Sequence, residues 1–217
     1  QVVKDEHLTE MQLGQLMEEV LSRKPEYVYQ IEKERAGSYQ IEVLAKSKEH
    51  EVPITLRFQE LQDEQMQPAH GELPFFLQEN TVIKFLQYPY EQVVAENFVE
   101  ILEKMELIND LSCYEEIYGI LKKEALDGRK VEQQIIEVGT KRELSFGKDR
   151  LDTVLHYKDY TYMKRKWTAY LKRERKKEPD WAEVMTLLEA FFPPVWRAII
   201  RDEIFIGDWM PELCRFL

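Results

Sequence analysis

The spacing of hydrophobic residues changes along the chain, and the change divides it in two. Between residues 27 and 58 apolar and polar positions partly alternate, in YVYQIEK (27–33), SYQIEVLAK (38–46) and VPITLRF (52–58). A period of two sends successive side chains to opposite faces of a strand, and the β-branched and aromatic residues here favour that geometry. Ala36-Gly37 and Lys48-Glu49-His50 supply turns, so the three runs predict an antiparallel meander. Ahead of them Leu13, Leu16, Met17, Val20 and Leu21 recur at helical spacing, with a capping box at Thr9-x-x-Gln12 and Pro25 as the stop. This predicts a helix covering one face of the sheet. Residues 60–80 read as a loop rich in Gln and Pro, and TVIKFLQ (81–87) as one more strand.

Beyond Pro89 the period lengthens to that of a helix. At 100° per residue Val94, Phe98, Ile101, Leu102 and Met105 share one stripe. Glu96 lies almost opposite it, in water, and Asn97 sits at its edge. Tyr114, Ile117, Tyr118 and Leu121 form a second stripe, and Val131, Ile135, Ile136 and Val138 a third. One long helix is predicted from about Leu151 to Lys177, then another from Trp181 to Phe192, interrupted at Pro193-Pro194. Val195 to Ile204 reads as a last helix, with residues 207–211 closing as a packed turn. The pattern as a whole predicts an α+β chain: an α/β portion over 1–87, its small antiparallel sheet covered by a helix, and a larger all-helical region over 88–217.

Composition narrows the class. Eleven Tyr, ten Phe and four Trp are enough for a substantial core, and with only 8 Gly and 9 Pro no segment reads as a linker. Cys113 and Cys214 are too few for a disulfide framework and fit a reducing cytoplasm. The polar start, QVVKDEHLTE, does not resemble a signal peptide, and no apolar run is long enough to cross a bilayer. A chain opening on Gln1 without Met is expected to be a fragment or a processed product. The net charge of -11 argues against a surface that binds nucleic acid everywhere, yet leaves room for a local basic patch.

Candidate chemistry is sparse. His7, His50, His70 and His156 are scattered, without metal-ligand spacing, and both cysteines have apolar or aromatic neighbours. No Gly-rich phosphate loop and no Asp-x-Asp pair occurs in the sequence, so no metal ligands are assigned within it. The glutamates from Glu91 to Glu106 read first as a solvated helix face. The strongest local feature is MKRKWTAYLKRERKK (163–177). On a helix Lys164, Arg165, Lys166, Lys172, Arg173, Arg175, Lys176 and Lys177 spread over one broad basic face, with Met163, Trp167, Tyr170 and Leu171 on the other. Such a face suits a phosphate backbone, although an amphipathic helix with a solvated basic side reads the same way.

One block carries a family resemblance. The stretch YEQVVAENFVEILEKMELINDLSCYEEIYGIL, with Glu91, Ala95-Glu96 and Glu116-Ile117-Tyr118, resembles the helical region of the AbiEii/AbiGii family of nucleotidyltransferase-like toxins. Trp167, WAEVMTLLEAFFPPVW (181–196) and Trp209 extend the likeness, which runs from about residue 8 to the end. The resemblance implies an incomplete nucleotidyltransferase-like fold and metal-dependent transfer of a nucleotide from an NTP to an acceptor such as RNA, with Mg²⁺ as cofactor. It also implies a toxin–antitoxin setting with a protein partner of unidentified kind. Glu96 and Asn97 fall at the nucleotide-binding position, and Asp110 and Glu116 are the catalytic candidates. Lys164, Arg165, Lys172, Arg173 and Lys176 would hold nucleic acid. The departures are equally specific. Asn97 stands where the family has a phosphate-contacting Lys, and Ser112-Cys113, or Asn109-Asp110 in a shifted register, where it has Arg-Asp. Thr55 or Arg57 stands where a third strand carboxylate is expected, and the Gly-Ser turn with its Asp-x-Asp strand would precede residue 1.

Three readings follow from this. The chain is a divergent nucleotidyltransferase, a catalytically inactive relative kept as a binding module, or a helical interaction protein outside the family.

Overall fold

The computed structural model describes residues 15, 19, 27–35, 38–46, 51–59, 69–74 and 82–217. The chain divides into two compact units, residues 1–87 and 88–217. In the first, β1 (Tyr27–Arg35), β2 (Ser38–Lys46) and β3 (Glu51–Gln59) form an antiparallel sheet in the order β1-β2-β3. Tyr27 pairs with Ala45 and Ile31 with Ile41 across the first ladder, and Ile41 with Leu56 across the second. The first ladder shifts register between Lys33 and Arg35, next to the short connection into β2. This is the meander expected from the alternating pattern. Thr55 and Arg57 lie in β3, opposite Glu42 and Gln40.

Two elements of this unit go beyond the sequence expectation or outside the description. Part of the expected 60–80 loop is a strand: β4 (Ala69–Pro74) pairs antiparallel with β5 (Val82–Gln87) as a separate two-stranded sheet. Gly71 and the adjacent Pro-containing segment obscured it, since neither residue type favours a strand. Of the expected first helix, Gln15 and Glu19 are helical and exposed. Its cap at Thr9, its apolar stripe, His7, His50 and the turns after β1 and β2 lie outside the described residues.

The second unit is built from α1 (Tyr90–Lys104), α2 (Ser112–Lys123), α3 (Gly128–Lys141), α4 (Lys148–His156), α5 (Thr161–Arg173) and α6 (Trp181–Arg201). In α1, α2, α3 and α5 most of the apolar stripe read from the sequence is buried, but Ile136 of α3 stays 41% exposed. In α1, Val94, Phe98, Ile101 and Leu102 are buried; in α2, Tyr114, Ile117 and Leu121 are. The α1 stripe meets α6 through Phe98, which stacks on Phe192 with ring centroids 3.7 Å apart and meets Trp196 edge-on at 5.7 Å. No helix among the described residues is long and apolar enough to cross a membrane.

Three departures from the pattern have physical causes. The helix predicted over 151–177 breaks after His156, where Tyr157 turns inward: its hydroxyl donates to Glu106 Oε2 at 2.6 Å and its carbonyl accepts from Trp181 Nε1 at 2.8 Å. Pro193 and Pro194 do not interrupt α6, which runs through them to Arg201. Each proline removes a helical donor, but Phe191, Phe192, Val195 and Trp196 beside them are all buried, and burial of four large side chains outweighs the loss. The region after residue 88 also holds a small sheet, β6 (Leu126–Asp127), β7 (Asp208–Met210) and β8 (Arg215–Phe216). Trp209 of β7 is fully buried and donates to the Leu121 carbonyl at 2.8 Å, fastening the chain's closing segment to α2. Gly128 donates to Gly207 O across this junction, and a Cβ at 128 would collide with that oxygen and with the Phe205 ring.

Candidate functional site

The residues singled out in the sequence fall on the two sides of α2. Asn97 and Glu116, expected in different roles, meet: Asn97 Nδ2 donates to Glu116 Oε2 at 2.9 Å. Glu96 is half-buried rather than free in water, and Gln92 Nε2, one turn back on α1, donates to it at 2.9 Å. Burial, and then the charge of Glu96, raise the Tyr88 phenol above its ordinary range. Asp110 accepts from the Ser112 backbone N–H at 3.0 Å, a turn that starts α2. Each of these four side chains has a partner that accounts for its position. Among the described residues no three His, Cys, Asp or Glu side chains gather as a metal site. Cys113 is free and buried, and burial, then the nearby Glu100 charge, push its thiol well above the ordinary range.

The basic segment is built differently from the single helix that its sequence suggests. Helix α5 stops at Arg173, Arg175 takes a left-handed backbone (φ 56°), and Lys176 N–H returns to the Leu171 carbonyl at 2.8 Å. Trp167 Nε1 then donates to Pro179 O at 2.9 Å, drawing the linker back along the helix. Asp180 caps α6, accepting from Glu183 N–H, while Glu183 reaches back in a capping box. Folding the run on itself makes a groove of about 580 Å³ between α5, the linker and the start of α6. Its floor is Trp167, Leu171 and Trp181, and its rim carries Lys164, Lys172, Lys176 and Lys177 against Asp180.

The individual cations differ. Lys176 donates to Glu115 Oε1 at 2.5 Å, and Tyr170 donates its hydroxyl to the other oxygen of that carboxylate at 2.5 Å. Burial raises the Glu115 pKa, but the hydrogen bonds from Lys176 and Tyr170 outweigh it and hold the group below the ordinary glutamate value. The same burial, with the Glu115 hydrogen bond, raises Tyr170. Lys164 forms an exposed ion pair with Asp159 at 3.6 Å. Lys166 leaves the basic face altogether, donating to the carbonyls of Glu106 (3.0 Å) and Ile108 (2.5 Å). Arg173 pairs with its neighbour Glu174 at 2.9 Å over the Tyr170 ring, and does not line the groove. Arg165 is exposed and lies outside the lining as well. Among the described residues, Lys172 and Lys177 have no ion-pair partner.

The groove therefore unites Lys164, Lys172, Lys176 and Lys177 of the basic run with two residues the charge pattern did not nominate, Asp180 and Trp181. The pattern Asp180-x-x-Glu183 directly after a cationic run was the usable signal, because it starts a new helix where the charge ends. Trp167 and Trp181 are 1% and 4% exposed, so their indoles floor the groove without offering faces to a ligand. No family model, curated protein or solved structure matches the chain.

Proposed function

We propose that the helical unit is a binding module for a phosphate-rich ligand, with RNA as the ligand class, held in the groove between α5 and α6. The observation that carries this is the convergence of four lysines on one concave surface in a chain of net charge -11. Like charges gathered from two segments repel one another, and among the described residues only two of the four have a carboxylate partner. A phosphate backbone would supply the missing anions and release the counterions condensed on it. The reading keeps the RNA acceptor of the nucleotidyltransferase expectation and assigns no transfer step, NTP site or Mg²⁺ ligand to the described residues.

The test is fluorescence anisotropy with a labelled RNA oligonucleotide across a salt series. Wild type is expected to bind with a clear salt dependence. The double variant Lys172→Glu/Lys177→Glu should weaken binding by at least about tenfold and flatten the log–log salt slope by roughly 1.4, the value for two lost phosphate contacts on a single strand. Unchanged affinity and slope would sink the proposal.

A further inference from the structure

A second feature at the start of α5 concerns aromatic rings. Tyr160 and Tyr162 remain 47% and 46% exposed, although rings of this size ordinarily gain by burial. Their centroids are 5.8 Å apart, and Tyr160 is 5.9 Å from the buried Tyr157. The row is fixed at both ends. Tyr157 is held by its bonds to Glu106 and Trp181. Tyr162 lies beneath the Lys166 ammonium, 5.1 Å from the ring centre, and that ammonium is itself anchored on the carbonyls of Glu106 and Ile108. Rings already ordered lose little further rotamer freedom when something stacks on them. Tyr160 also precedes the first turn of α5 without any side-chain capping bond, so its ring is not required to start the helix.

The row is joined to the groove through one residue. Lys164 N–H donates to the Tyr160 carbonyl at 3.1 Å, one helical turn away, and the Lys164 side chain lines the groove. Its partner Asp159 has a side chain 93% exposed, and an ion pair of that kind contributes little, so a phosphate can take its place. Exposed rings beside lysines offer two complementary contacts, one for base faces and one for the backbone.

We infer that Tyr160 and Tyr162 form a base-stacking platform, and that the ligand of the groove is single-stranded RNA rather than a duplex. The inference rests on the reading of the groove as an RNA site. Paired bases in a helix cover one another's faces, and only unpaired bases have a free face for a tyrosine. The platform adds affinity that carries no charge, which separates it experimentally from the lysines.

The experiment compares a labelled oligouridylate with an RNA duplex of equal length on the full chain, by anisotropy. Wild type should bind the single strand more tightly. Tyr160→Ala and Tyr162→Ala should each weaken single-strand binding about tenfold, leave duplex binding unchanged and keep the salt slope of wild type. The corresponding Phe variants should retain wild-type affinity, because the ring rather than the hydroxyl makes the contact. Alanine variants that bind both ligands as wild type does would overturn the platform, and Phe variants as weak as Ala would do the same. If the lysine reversal abolishes binding while the tyrosine variants do nothing, the groove reading stands and the platform falls. If wild type binds neither RNA, both fall. Self-association of wild type that Tyr160→Ala dissolves in sedimentation would assign the rings to a protein contact and overturn the inference.

Discussion

Two adjacent glutamates on α2 face opposite seams of the helical unit. Glu116 turns toward α1 and accepts the neutral amide of Asn97. Glu115 turns toward α5 and takes both the Tyr170 hydroxyl and the Lys176 ammonium. On the first seam one neutral donor meets one carboxylate, whose charge is left to solvent. On the second, the carboxylate satisfies one lysine of a cluster, and Lys172 and Lys177 find no anion among the described residues. A polar pair between helices is therefore a weak sign of a site when its members satisfy each other, and an unbalanced cluster is a stronger one.

The contrast implies that α1 is held by apolar packing, including its contact with α6, and that its polar pair with α2 contributes little. Phe98→Ala breaks that packing most directly. The ring is fully buried between Phe192 and Trp196, so truncation should cost about 3–5 kcal/mol, combining lost transfer energy with a cavity. Urea denaturation should show a lower midpoint with an unchanged slope. A loss no greater than that of Asn97→Ala would mean that the amide tie to α2, not the ring packing on α6, holds α1 in place.

The α5 seam is sharpened by pH. The Glu115 pKa is lower in the folded chain than its ordinary value of 4.5, so its contribution is fully present above that value. It is lost as pH falls from there through the depressed folded value. Glu115→Gln keeps an acceptor for Tyr170 and removes the charge. The variant should be about 1 kcal/mol less stable than wild type at neutral pH, and the gap should close in acid. The same substitution frees Lys176 and should raise RNA affinity a few-fold in the anisotropy assay. A stability gap that persists at low pH would place the effect in packing instead of charge.

Much of the fold was legible because periodicity reports burial directly. The three strands of the first sheet and most of the stripes of α1, α2 and α3, Ile136 excepted, follow from alternation or helical spacing alone. What the pattern missed depends on tertiary partners. The break after His156 exists because Tyr157 finds Glu106 and Trp181, and the continuity of α6 through two prolines exists because its flanking aromatics are buried. The candidate site was legible as charge but not as shape. Residues 163–177 read as one helical face, whereas the groove needs the reversal at Arg175 and the cap at Asp180. Asn97 is the opposite case: the sequence placed it at the edge of a helix face, but nothing local to it reveals Glu116 nineteen positions away.

That residue gives the smallest and most discriminating test of the comparison. The resemblance read from the sequence carries the expectation of a phosphate-contacting lysine at position 97, under which Asn97→Lys would restore affinity for an NTP. The structure puts Glu116 Oε2 2.9 Å from the present amide, so an introduced ammonium meets a carboxylate before it meets a ligand. Glu116 is exposed, and an ion pair at such a surface contributes at most about 1 kcal/mol. The expected outcome is a stability change within that range and no gain in heat of binding when an NTP with Mg²⁺ is titrated into the variant. The double variant Asn97→Lys/Glu116→Gln then removes the competing carboxylate. If NTP binding appears only there, the α1 seam holds a phosphate site masked by Glu116; if it appears in neither, Asn97 is a tie between two helices and the asymmetry between the seams is complete.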